Sequence, residues 1–143
     1  MKPIIRTLAE ITGMPCPCGQ ARRIITAQDG APASFHVVTI KVDSAIHYHR
    51  RQTEIYHVLE GKGVIWLDGQ EYPLRKGTTV LIPPLVRHRA RGRLTIVNVV
   101  IPAFDPSDEY IETAAGKACV KQQPCGVCAP PGKVSHRKKR SRS

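Results

Sequence analysis

The sequence has no apolar run near the roughly 18 residues that a membrane-spanning helix needs. Its opening, MKPIIRTLAEITGM, carries Arg6 and Glu10 where a secretory signal would keep an unbroken apolar core. A cytoplasmic protein with no membrane partner is expected. No internal repeat is present, and no glycine-rich stretch leads into a helix to cradle phosphates. The five cysteines are an odd number without a secretory signal, so a disulfide framework is not expected.

Acid is missing from the C-terminal end. Lys133, Arg137, Lys138, Lys139, Arg140 and Arg142 stand there with no Asp or Glu among them. Removing these six charges leaves +5 of the net +11, so the basic character belongs to a tail rather than to a fold.

What is present reads as one domain with a core, since 143 residues are few for two. Short β-patterns follow one another: Arg22–Thr26, Phe35–Val42, Glu54–Leu59, Val64–Leu67, Gln70–Leu74, Thr78–Ile82, Val86–Arg91 and Leu94–Ile101. Turn signals such as QDGAP, LEGKG, LRKG and RGR separate them. Asp68-Gly69 marks a two-residue hairpin, whose turn needs positive φ at both positions. Many short strands and no long helix predict an all-β barrel or jelly roll. Residues 1–21 form a lead segment, in which Ile4, Leu8 and Ile11 suggest a brief helix. The barrel domain spans 22–112. Residues 113–143 lack apolar periodicity and are expected to be a flexible tail.

Residues 47–61, HYHRRQTEIYHVLEG, concentrate the chemistry. Three of the six histidines lie within the first eleven of these positions, on a segment of strand-forming residues. Alternation puts His47 and His49 on one face. Glu54 opens the next strand after a short loop, and His88 stands in a later one. Three imidazoles and a carboxylate suit a divalent transition metal (Fe, Mn, Zn, Ni or Cu) and leave room for water or substrate.

The spacing His47-x-His49-x4-Glu54-x6-Gly61 resembles the first motif of the cupins, and Gly77-x5-Pro83-x4-His88 resembles the second. The resemblance covers residues 34–104. Lys41 stands at the opening glycine of the first motif. In the second, Leu85 stands where glycine is usual and Gly92 where asparagine is frequent. The likeness implies a double-stranded β-helix with one metal held by His47, His49, Glu54 and His88. It points to small single-domain cupins of the mannose-6-phosphate-isomerase-like group, and to a homodimer. It implies an enzyme of isomerase or dioxygenase type acting on a small polar metabolite; the alternative is a non-catalytic module that binds or senses a sugar-like ligand. The histidines are then committed to metal, which leaves no Ser/His/Asp triad.

The remaining residues are read as follows. Tyr56 shares the face of Glu54 and either orients a ligand or fills the core. His36 is either a pocket residue or a packed core histidine. His57 faces away from the pocket, as do Arg87 and Arg89. Val64 and Trp66 are expected in the core. Cys16-x-Cys18 and Cys125-x-x-Cys128 have the spacing of two halves of a structural zinc site, or are reduced thiol pairs. The basic tail is either a solvated end or a weak, salt-dependent contact for a polyanion such as nucleic acid.

Overall fold

The computed structural model describes residues 2–112 and, for the backbone alone, 118–120. Ten strands follow in chain order: β1 (Met14–Cys16), β2 (Gly19–Ile25), β3 (Ser34–Ile40), β4 (His47–His49), β5 (Thr53–Leu67), β6 (Gln70–Arg75), β7 (Thr79–Ile82), β8 (His88–Ile101), β9 (Glu109–Glu112) and β10 (Ala118–Val120). All pairings are antiparallel. One path runs β1-β2-β3-β8-β4-β9-β10, and β5 adds to β8 while also holding β6 and β7. The result is the all-β jelly roll expected from the turn pattern. No helix among the described residues is long and apolar enough to cross a membrane.

Several boundaries differ from the sequence expectation. The glycines of LEGKG and RGR do not end strands: β5 and β8 each run straight through them. Gly61 (φ 91°) and Gly92 (φ 116°) lie where the two paired strands approach closely, and a Cβ on either would strike the facing backbone. Glycine here permits a bend with close approach rather than a turn. The expected lead helix is a single 3₁₀ turn over Leu8–Glu10. Residues 14–21 enter the sheet, because β1 and β2 form a hairpin that pairs onto β3. Asp68 (φ 43°) and Gly69 (φ 101°) make the hairpin turn between β5 and β6 as their sequence requires.

The core lies on the inner face. Val38, Ile40, Val58, Ile65, Leu94 and Ile96 are almost fully buried there. Val64 and Trp66 are only half-buried and not part of this core, contrary to expectation. A bulge between Val58 and Glu60 is the reason. One extra residue reverses the in-out alternation. Ile65 therefore takes the inner position that Val64 and Trp66 would otherwise have held.

Candidate metal centre

The four motif residues come from three strands of the barrel. His47 and His49 alternate onto the inner face of β4, Glu54 begins β5, and His88 begins β8. Their ligating atoms all lie within 4.8 Å of one another. Register explains part of this convergence, since His47 sits directly opposite His88.

Hydrogen bonds set the orientation of every ring. Nδ1 of His47 lies 3.0 Å from the carbonyl of Ala45, Nδ1 of His49 3.0 Å from that of Asp108, and Nδ1 of His88 2.9 Å from that of Val86. A carbonyl oxygen only accepts, so each Nδ1 carries the proton and donates it. All three Nε2 atoms are then left to face the centre. Nε2 of His88 is 2.8 Å and Nε2 of His49 3.4 Å from the same oxygen of Glu54, Oε2. The other oxygen, Oε1, accepts from Nδ2 of Asn98 at 2.8 Å.

This arrangement fits a cation. Nε2 of His49 is buried without a hydrogen-bond partner. Imidazoles that donate from Nδ1 direct lone pairs from Nε2, and those lone pairs converge on a carboxylate. Either extra protons or a metal must sit between them. Burial alone would raise the Glu54 carboxyl, but the close approach of the His49 and His88 rings outweighs it and holds the group well below the usual carboxylate range. Burial likewise lowers His49, and the Glu54 carboxylate 3.4 Å from its Nε2 overcomes that and raises it. His47 is pushed down to about 3, by burial first and then by the neighbouring His88. Neutral imidazole is the form that binds a metal.

The group opens into a cavity of about 820 Å³, whose lining includes His36, Tyr56, Asn98 and Phe104. His36 therefore lines the pocket. Its ring meets Phe104 edge-on, with centroids 5.9 Å apart. Tyr56 is buried, with its hydroxyl 3.5 Å from Oε2 of Glu54. Burial, then the Glu54 charge, raise this phenol well above its ordinary value, so it stays protonated and donates. His57 lies on the opposite face and pairs with Thr79 Oγ1 at 2.8 Å. Arg87 turns outward to Asp68 and Glu112, at 3.2 and 3.4 Å.

Cys16 and Cys18 also line the cavity, with their Sγ atoms 3.2 Å apart. Cys125, Cys128 and the basic run lie outside the described residues, and so does the chemistry expected of them.

Sequence reasoning missed Asn98, Phe104 and Asp108. Asn98 did leave a trace: it is the one polar residue in the run LTIVNVVI after Thr95, at an inner position. Asp108 left none, because its role depends on a loop more than fifty residues away. Its carboxylate accepts the N–H groups of Arg50, Arg51 and Gln52 at 3.3, 3.0 and 3.1 Å. That fixes the turn between the two halves of the first motif.

Comparison with known proteins agrees with the geometry. A cupin-domain family model matches residues 34–97. The chain is 38% identical to the L-ectoine synthase of Mycolicibacterium gilvum (strain PYR-GCK) over 121 residues, 78% of this chain and 93% of that protein. Among solved structures, a protein from Planctomyces limnophilus superposes with a TM-score of 0.72 at 45% identity, covering 76% of this chain and 96% of that one. The Streptomyces nucleoside dehydratase Pac13 shares the fold, with a TM-score of 0.68 at 22% identity over 76% of this chain and 89% of its own. None of these three bears the mannose-6-phosphate-isomerase name. The two motifs, the jelly roll that brings them together and the kinship of these sequences have one common meaning: the chain belongs to the cupin family.

Proposed function

We propose that the protein is a metal-dependent enzyme that performs non-redox chemistry, of isomerase or lyase type, on a small polar metabolite. The observation that carries this reading is the set of three Nε2 atoms, each fixed by a carbonyl behind it, facing one carboxylate in an open cavity. His47, His49, Glu54 and His88 would hold the ion. Bound there, a divalent transition metal would supply Lewis-acid chemistry.

The chain's own groups do the rest. Asn98 holds Glu54 by its Oε1. Tyr56 keeps its proton and offers a hydrogen-bond donor beside the ligands, which suits it to an acid's role rather than a base's. Phe104 and the apolar inner wall give part of the cavity an apolar lining, which would favour exclusion of bulk water around a bound substrate. Likeness to an L-ectoine synthase over nearly that protein's whole length supports a synthase- or lyase-type reaction over dioxygen chemistry.

The test is a mass-spectrometric screen of metal-loaded protein against small polar metabolites, run in an oxygen electrode. Isomerised or dehydrated products without oxygen uptake are expected. Oxygen consumption coupled to turnover would replace this reading with a dioxygenase. Ligand binding with no conversion would replace it with a sensing module.

A further inference from the structure

His47, His49 and Glu54 line the cavity, and the wall beside them has an order of its own. Strand register places Arg23, His36, Asn98 and Tyr56 side by side on β2, β3, β8 and β5. All four line the cavity. The neighbouring inner row, Ala21, Val38, Ile96 and Val58, is wholly apolar and buried. A polar row laid beside a dry one, within a single cavity, is a built feature rather than a wet surface.

The row has two differently charged ends. At one end Tyr56 and Asn98 touch Glu54. At the other stands Arg23, just before a bulge in β2. Bulges re-aim side chains and mark functional edges of sheets. None of the ion pairs among the described residues involves Arg23. Its guanidinium lies 5.7 Å from the centroid of Phe104, whose ring in turn faces His49 at 6.5 Å. Between the two ends, Oδ1 of Asn98 is buried with no hydrogen-bond partner. A half-buried cation with no ion-pair partner among the described residues, on the wall of a cavity, asks for a ligand.

We infer that Arg23 is an anion subsite that takes the carboxylate end of a short substrate, whose other end presents an oxygen to the His47–His49–Glu54–His88 group. Phe104 packs on the carbon chain between them. The inference rests on the metal-enzyme reading and adds the substrate class. A carboxylate suits the site better than a phosphate. A single guanidinium fork matches one carboxylate bidentately. His36 adds no second charge, since burial and then Arg23 lower it to about 4. Asp105 and Glu109 also line the cavity and disfavour a group that carries two charges at one end, as a phosphate monoester does. Arg23 and Asn98 are two strand spacings apart, about 10 Å between backbones, and inward side chains shorten the gap. The substrate is therefore a small acid rather than a long one.

The experiment is calorimetric titration of the full-length, metal-loaded protein with succinate and with its neutral diamide, succinamide. Wild type should bind succinate more tightly. Arg23→Gln should weaken succinate about tenfold or more, leave succinamide unchanged and keep the metal content. Arg23→Lys should recover part of the loss, because it restores charge without the fork. Equal succinate affinity in wild type and Arg23→Gln, or no preference of wild type for succinate, would overturn the subsite. Metal is counted in each sample, and the titration is repeated on metal-stripped protein. Wild type without metal would count against the metal reading alone. A preference for succinate that depends on Arg23 in stripped protein would survive it.

Discussion

The carbonyl oxygen of Asp108 accepts the Nδ1–H of His49, across 59 positions of sequence, while its buried carboxylate holds the three N–H groups that follow His49 in the chain. One residue thus aims a ligand and shapes the loop between two ligands. Asp108→Ala removes the carboxylate and leaves the three N–H groups unsatisfied. We expect a loss of about 3 kcal/mol in urea unfolding. Metal affinity should fall about 10- to 100-fold, as for other groups behind metal ligands. Full metal affinity in a destabilised variant would limit Asp108 to holding the loop.

His88→Ala and His47→Ala each remove one of four ligands. Metal content measured on untagged protein should drop from about one ion per chain to a small fraction. His57→Ala should keep it, because that ring faces Thr79. Full occupancy in either ligand variant would end the assignment.

His36 gives stability a dependence on acid. Its folded-state value of about 4 lies below the ordinary 6.5, because burial and then Arg23 oppose its charge. The unfolded chain therefore takes up the proton first as pH falls. The contribution is complete above pH 6.5 and is lost as pH falls from there through 4. It amounts to about 3 kcal/mol at most. His36→Gln should flatten that part of the stability profile. An unchanged slope between pH 6.5 and 4 would show that another group carries it.

Leu85 has φ 70°, a left-handed conformation that side chains resist, and it is largely exposed. Its N–H donates to the His49 carbonyl at 2.7 Å, so the turn is held in place regardless of the strain. Leu85→Gly should stabilise the protein by about 1 kcal/mol, since the strain disappears and little burial is lost. Metal content should not change. Destabilisation in thermal melts would show that the leucine side chain earns its place by contacts.

The group of three histidines and one glutamate was legible in the sequence because it depends on local spacing. Two histidines one residue apart share a face whatever the rest of the chain does, and the two motifs supplied the partners. The jelly roll followed from the turn residues. The side of Trp66 did not, because a bulge at Val58/Glu60 inserts one residue that no composition rule reveals. The strand breaks expected at LEGKG and RGR failed for a related reason. Glycine signals freedom, and Gly61 and Gly92 use it for close backbone approach within strands. Asp108, Phe104 and Arg23 were hidden altogether. Each acts through a partner brought near by topology, and topology is not a property of neighbours in sequence.

The ladder between β5 and β8 pairs Glu54 with Val100 one step from one end and Leu67 with His88 at the other. Laid flat, the thirteen steps from Glu54 to Leu67 would separate these ends by about 43 Å. Yet Glu54 and His88 meet at 2.8 Å. The ribbon must coil back on itself before the two can touch, so their meeting reports completed winding. An ion bound there acts as a clasp that closes last and must open first. Such a contact is absent from a transition state in which the ribbon is still unwound. Metal should then slow unfolding in stopped-flow experiments and leave the folding rate nearly untouched. The protein would owe its lifetime to the ion and its speed of assembly to the chain.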